Sequence, residues 1–287
     1  MPSNTLSVDT RRLLLAGGLA LLVVTAGCNG LLGLDGESTP TSDSSMDPET
    51  VPGVEANGSV DAQRLASAHV DALSNRSFTA EQRVVVRNGS GGVVRETHNV
   101  VRITANRSRY LYAGNVTGPN TVYENDAEAR LRLFADGERV YRQQRIGSNT
   151  DARLVRDADQ EPLTPREGLE FQPTLRNRIG FVLSTMETTS VDARERSVVL
   201  SGTFDPTGLS LNDRDLDATG NGTVSVTVGP DGRVREYTVA YDATLDGEQV
   251  QVRETGATFG VGGTAIAQPA WVKDLRSEGN ATATASS

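Results

Sequence analysis

The sequence predicts an α+β fold in which about ten or eleven antiparallel strands form one strongly curved sheet, a half-barrel. Two amphipathic helices are expected in or across its concave face. Three observations predict this fold. Most of the chain after residue 78 alternates apolar and polar residues with a period of two. Tight Gly- and Asp-rich turns join these segments, so neighbouring strands run antiparallel. Only two segments have clear helical spacing, too few to cover a flat sheet of this size on both faces.

The predicted body begins with a helix. Ser59 suits its N-cap, Asp61 falls in the first turn, and the helix is expected to end near Ser74-Asn75. Its apolar stripe recurs at helical spacing and consists of Leu65, Ala68, His69, Ala72 and Leu73.

Alternating segments follow this helix. Phe78, Ala80, Val84 and Val86 alternate with polar residues before a turn at 88–92. The further strands predicted in this first group are Val93–Thr104, Arg109–Ala113, Ala129–Ala135, Arg139–Ile146 and Arg153–Asp157.

A Pro- and Gly-containing connector at 162–168 separates the two groups of strands. Pro173 is expected to open the second helix, whose apolar face comprises Leu175, Ile179, Val182, Leu183 and Met186. An acidic loop is predicted over Asp205–Gly222. The strands of the second group are Ser197–Phe204, Thr223–Val228, Arg233–Ala243 and Gln249–Phe259, and Trp271 closes the domain.

The N-terminus has the pattern of a secretory signal. The pair Arg11-Arg12 precedes an apolar run, Leu13–Val24, which is shorter than the ~20 residues that span a bilayer. The arginine pair resembles the twin-arginine export motif. The run ends at Thr25-Ala26-Gly27-Cys28, which resembles a lipobox, in which the cysteine becomes the lipid-bearing first residue. An uncleaved N-terminal anchor is the alternative.

These features divide the chain into four parts. We expect a signal peptide at 1–27, the lipid-anchor Cys28 with a disordered tether to residue 58, a folded domain at 59–275 and a disordered tail at 276–287. The protein is therefore expected on the outer face of the cytoplasmic membrane, attached through the lipid on Cys28.

Composition excludes several classes of function. The formal net charge of −9 argues against a nucleic-acid surface, and one Cys excludes a disulfide framework and Cys-based zinc sites. Lys273 is the only lysine among 28 basic residues. Acid-rich and Lys-poor composition is typical of salt-adapted proteins, although a GC-rich genome would also produce it.

Asn-x-Ser/Thr sequons exceed the number that chance would give. They indicate a glycosylated, extracytoplasmic surface, and we expect at least three to be exposed. They begin at Asn57, Asn75, Asn88, Asn106, Asn115, Asn221 and Asn280.

No motif for catalysis is recognisable, so no enzyme activity, metal or cofactor is predicted. His69 is interpreted as a packing histidine and His98 as exposed or structural. Asp213, Asp215 and Asp217 have the spacing that begins a calcium loop. Ala218 and Val224 occupy the positions that need Gly and Glu, so a solvated acidic loop is the better interpretation.

The element order resembles the half-barrel of bacterial periplasmic lipoprotein carriers, the LolA-like fold, and of related lipid-binding lipoproteins. The segments Ala66–Phe78 and Ala105–Tyr110 also resemble haloarchaeal surface lipoproteins of unassigned function. The resemblance implies that a hydrophobic ligand, a lipid or acyl chain, binds in the concavity. The alternative is a structural or protein-interaction module of the cell envelope with no internal ligand, its protein partner being unknown.

The side chains that would line such a concavity are apolar or aromatic, and a simple core is the alternative interpretation of each. They are Phe78, Tyr110, Tyr112, Phe134, Tyr141, Phe181, Met186, Phe204, Tyr237 and Tyr241.

Overall fold

The computed structural model describes residues 45–55, 59–118, 128–169, 174–206 and 216–285, without the side chains of 188–189 and 278–285. The predicted signal peptide, Arg11, Arg12, Cys28 and Asn57 lie outside the described residues. The same holds for Pro173, Asp213 and Asp215, and for the side chain of Asn280. Among the described helices, none is long and apolar enough to cross a membrane.

One antiparallel sheet of eleven strands dominates the described part of the chain. Its order is β6-β5-β4-β3-β2-β1-β11-β10-β9-β8-β7. The strands are β1 (Phe78–Asn88), β2 (Val93–Ile103), β3 (Arg109–Thr117), β4 (Ala129–Asp136), β5 (Val140–Ile146), β6 (Asn149–Leu154), β7 (Met186–Ala193), β8 (Val198–Phe204), β9 (Leu216–Val228), β10 (Val234–Leu245) and β11 (Glu248–Phe259).

The sheet consists of two meanders that meet in its middle. The first meander, β1–β6, and the second, β7–β11, each pair strands in chain order. They join where β1 pairs with β11, from Thr79 opposite Phe259 to Asn88 opposite Val250. The predicted α+β class and antiparallel sheet are therefore confirmed.

In the described ranges of the chain, three α-helices accompany the sheet, rather than the two predicted: α1 (Ala62–Leu73), α2 (Arg176–Thr185) and α3 (Ala270–Ala285). The N-cap of α1 is Asp61, whose carboxylate accepts a hydrogen bond from the Arg64 backbone N–H at 2.9 Å. The prediction of Ser59 as the cap was wrong, because its hydroxyl bonds Glu55 instead, at 2.7 Å.

The two faces of the sheet bury different helices. The face that carries Phe78 and Val86, here called the inner face, packs against α1 and α2 through residues such as Leu65 and Ile179. The outer face carries Phe134 and Tyr141, which pack against Val272 of α3. Because side chains alternate along a strand, one sheet supplies both apolar surfaces.

Helix α3 begins at Ala270, inside the predicted folded domain, and extends into the segment 276–287 that was predicted as a disordered tail. Trp271, Val272 and Leu275 have helical spacing, and all three belong to the cluster on the outer face. The Ala-, Thr- and Ser-rich composition beyond them concealed this short apolar stripe, because composition averages over a window longer than the stripe itself.

Several predicted boundaries also change. Met186 begins β7 instead of closing the second helix, and β7 itself was missed. Residues 216–222 of the predicted acidic loop belong to β9, while 207–215 lie outside the described residues. Gly222 lies in β9 opposite Phe204 rather than in a loop. A Cβ at this position would overlap the Phe204 ring. Polar residues on the solvated face of β9 obscured the apolar–polar alternation at 216–222, so this part of the strand was not predicted.

Candidate functional site

A buried polar cluster lies between α2 and the inner face. Glu254 of β11 is fully buried and accepts hydrogen bonds from Gln82 Nε2 at 2.9 Å, Tyr237 OH at 2.7 Å and Arg178 Nε at 2.8 Å. Arg178 also binds the second carboxylate oxygen of Glu254, so the pair is bidentate. We call these four residues the Glu254 cluster. A bidentate arginine–carboxylate pair is the arrangement that best compensates burial of both charges.

The local fold explains how these four side chains meet. Gln82 and Glu254 lie on the adjacent strands β1 and β11, and Tyr237 lies on β10. Gly256 leaves room for Tyr237, because a Cβ there would overlap its ring. Helix α2 lies beside α1, with Gly180 near Ala66, and carries Arg178 over the sheet.

Glu254 influences the pKa values of Tyr237 and Arg178. Burial, reinforced by the Glu254 charge and hydrogen bond, raises the pKa of Tyr237 well above its usual value. Burial alone would lower the pKa of Arg178, but the hydrogen bond and charge of Glu254 raise it. Each of the four side chains therefore has a partner within the Glu254 cluster. The cluster acts as a clamp that holds α2 on the sheet.

The structure divides the ten predicted ligand-contacting residues between the two faces. Phe134 and Tyr141 lie under α3 on the outer face. The other eight belong to the inner face or to the helix that packs on it: Phe78, Tyr110, Tyr112, Phe181, Met186, Phe204, Tyr237 and Tyr241. They therefore do not line one common concavity.

The inner face is closely packed where α2 lies on it. The gap bounded by Phe181, Val182, Phe204 and Val239 is too small to hold a water molecule. Phe204 and Tyr241 meet edge to face, with ring centroids 6.2 Å apart. This part of the inner face therefore has no room for an acyl chain.

A larger opening lies on the outer face beside α3, and we call it the α3 groove. Its volume is about 820 Å³, and it is open to solvent. Apolar and charged groups share its lining, which consists of Arg109, Asp136, Glu138, Arg139, Tyr141, Leu154, Gln268, Leu275 and Arg276.

Arg276 fixes the wall of the α3 groove. Its Nη2 donates to Tyr141 OH at 2.9 Å and also binds the Asp136 carboxylate, while its guanidinium lies 4.9 Å from the centroid of the Tyr141 ring. Burial alone would raise the pKa of Asp136, but the backbone N–H groups of Glu138 and Arg139 and the Arg276 charge lower it. The sequence gave no sign of the contact between Asp136 and Arg276, because it spans 140 positions.

The two histidines have structural partners. His69 is fully buried on α1: its Nδ1 accepts from the Val234 N–H at 3.1 Å, so its Nε2 donates to the Thr174 carbonyl at 2.8 Å. Burial lowers the pKa of His69 to about 4. These contacts agree with the interpretation of His69 as a packing residue. His98 bonds Glu81 across the strands at 2.7 Å, a partner that the sequence did not reveal.

The sequon asparagines differ in exposure. Asn75, Asn106 and Asn221 are exposed, whereas Asn88 and Asn115 are half-buried. Three described sequons therefore have the exposure that glycosylation needs, and modification itself stays a prediction.

Comparison with known proteins leaves the chain without a family. No protein-family model and no curated protein matches it. A DUF1329 family protein from Desulfovibrio piger matches at 8% identity with a TM-score of 0.24, over 76% of this chain and 96% of that one. A porin-like protein from Bacteroides uniformis matches at 9% identity with a TM-score of 0.14, over 63% and 96%. At these scores neither likeness supports an argument about fold or function. The resemblance to haloarchaeal lipoproteins stays a prediction.

Proposed function

We propose that this protein is a membrane-tethered, extracytoplasmic binding protein that takes a hydrophobic or amphiphilic ligand, and that the ligand binds in the α3 groove. The groove itself is the observation that carries the proposal. Its volume of about 820 Å³ falls within the range typical of small-molecule sites. The close packing beneath α2 argues for this location over the inner face.

The lining of the groove suits an amphiphile. Leu154, Leu275 and the ring of Tyr141 offer apolar contact, and Arg109 and Arg139 bring positive charge to the same opening. Arginine is the side chain best suited to a planar carboxylate or a phosphate group. An acyl chain with an acidic end is thus the ligand class that matches both halves of the lining.

The rest of the proposal follows from the sequence. The twin-arginine pattern and Cys28 support export and lipid anchoring, and the missing catalytic motifs support binding without chemistry. We take the sheet to curve around α1 and α2 as a half-barrel, because its inner face is buried under both helices.

Lipid analysis of the full chain tests the proposal. The protein is purified from its native membrane in a non-ionic detergent, and bound amphiphiles are identified by mass spectrometry. Leu154→Arg puts a charge on the apolar side of the groove, while Val93→Arg adds the same charge at an exposed position outside it. We expect the wild-type protein and Val93→Arg to retain an amphiphile, and Leu154→Arg to retain about tenfold less, since a charged side chain on this wall replaces apolar contact with the ligand. No bound amphiphile in the wild type, or equal amounts in both variants, would contradict the proposal.

A second candidate function is an interaction module of the envelope with no internal ligand. The close packing of the inner face beneath α2 favours it, since that part of the interior leaves no room for a ligand. Crosslinking of the full chain in intact cells distinguishes the two candidates. A single crosslinked protein, recovered without any bound amphiphile, would support this second function over the first.

A further inference from the structure

A second depression lies on the outer face, farther along β4–β6 from the α3 groove. Its volume is about 210 Å³, and Arg130, Arg132, Gln143, Arg145 and Thr150 line it. We call it the arginine depression. That volume corresponds to roughly seven water molecules at about 30 Å³ each, enough for one small anion and several waters.

The strand register concentrates positive charge there. Arg130 of β4 lies directly opposite Arg145 of β5, and Arg145 lies opposite Thr150 of β6. Arg132 is two residues along β4, so it lies on the same face. Like charges directly opposite each other in an antiparallel pair destabilise the sheet unless a counter-charge is present.

Within the part of the chain that the structure describes, the carboxylates nearby do not balance this charge. Arg130 pairs with Glu128. Arg132 Nη1 donates to the Gln143 amide oxygen at 3.5 Å, and Arg145 Nε donates to the Gly147 carbonyl at 2.9 Å. Among the described residues, three guanidinium groups therefore share one carboxylate. This excess of cations occurs in a chain whose formal net charge is −9.

We propose that the arginine depression binds a phosphate-type oxyanion. Arg132 and Arg145 supply charge-assisted donors, and the Gln143 amide and Thr150 hydroxyl supply neutral ones. The anion adds negative charge to three guanidinium groups that Glu128 alone does not balance. It comes either as free phosphate or as the phosphodiester of a lipid headgroup. The site is separate from the α3 groove, so it does not depend on the function proposed above.

Calorimetry on the full chain in a non-ionic detergent at an ionic strength of about 0.15 M tests the site. The probes are inorganic phosphate and glycerophosphoglycerol, the water-soluble headgroup of an anionic lipid. Arg145→Gln removes one cation from the depression. Arg153→Gln removes the same charge from the adjacent strand β6, where residue 153 lies on the opposite face.

We expect saturable binding of at least one probe to the wild-type protein. Arg145→Gln is expected to weaken it about tenfold and Arg153→Gln less than about twofold, because exposed charges off the site act only through a screened field. Preference for inorganic phosphate identifies a free anion, and preference for glycerophosphoglycerol identifies a headgroup. Equal weakening by both variants, or no saturable binding of either probe, would overturn the proposal.

Thermal unfolding gives a readout independent of affinity. A ligand that binds the folded state raises the unfolding midpoint, so the effective probe should stabilise the wild type and Arg153→Gln but not Arg145→Gln. Leu154→Arg should keep its response to the probe, which separates failure of this site from failure of the α3 groove. A probe-induced shift that persists in Arg145→Gln would also contradict the proposal.

Discussion

The two meanders of the sheet use their inner faces differently. In the second meander, β8–β10 present an almost unbroken apolar surface to α1 and α2, with Leu200, Val226 and Val239 all buried. In the first meander, the inner face of β2 changes from Ile103 and Val101 to Asn99, Thr97 and Arg95 along the strand. The second meander is therefore the packed structural half, while both candidate binding sites lie on the outer face of the first.

The two meanders also differ in how their apolar residues are divided between the two faces of the sheet. In the second meander most apolar residues are committed to the core beneath the helices. In the first meander the apolar residues are divided, with Phe78 and Tyr110 on the inner face and Phe134 and Tyr141 on the outer face under α3. A sheet that divides its apolar residues in this way leaves a groove at the margin of the smaller cluster.

The largest effect is expected where the two meanders meet, at the Glu254 cluster. Glu254→Leu leaves the Arg178 charge largely buried without its partner, so we expect a loss of about 3–5 kcal/mol in the free energy of unfolding. Urea denaturation of the full chain measures it. The double variant Glu254→Leu/Arg178→Met removes both charges and should recover most of the loss. A double variant no more stable than the single one would show that the pair is not the clamp on α2.

A matched pair of leucines compares the meanders directly. Leu200→Ala removes a fully buried side chain from the second meander, and a loss of about 3 kcal/mol is expected. Leu154→Ala removes a half-buried side chain at the α3 groove, where less than about 1 kcal/mol is expected because solvent already reaches it. Urea denaturation measures both. Equal losses would mean that the groove is as firmly packed as the core.

An effect smaller than that at Leu200 concerns His69, which joins α1 to the start of β10. Because its folded-state pKa is lowered to about 4 from 6.5, the unfolded chain binds the extra proton between these values. The stability from neutral His69 is therefore present above pH 6.5 and lost as the pH falls towards 4. We expect the wild type to lose about 2 kcal/mol more between pH 7 and pH 5 than His69→Gln, which does not titrate. Parallel stability curves for the two proteins would contradict this assignment.

Sequence reasoning recovered most of the strands because their signal is local. The alternation of Val and Thr in Thr223–Val228, followed by the turn at 229–232, predicts a hairpin without knowledge of any partner. Sequence reasoning failed for β7 and α3. Both carry short or interrupted apolar patterns, and tertiary packing decided their conformation. The α3 groove and the arginine depression were not predicted for the same reason, since neither site has a sequence motif of its own.

What the sequence determined by itself is the class of fold: antiparallel strands, their turns, and helices with one apolar side. It also supplied the expectation of export and of a lipid anchor at Cys28, through patterns that operate on the unfolded chain. Only the tertiary structure decided which face each apolar residue occupies. It also decided which charges meet, as Arg178 and Glu254 do across 76 positions. Periodicity acts over a few residues, whereas a binding site needs side chains that only the register of the whole sheet brings together.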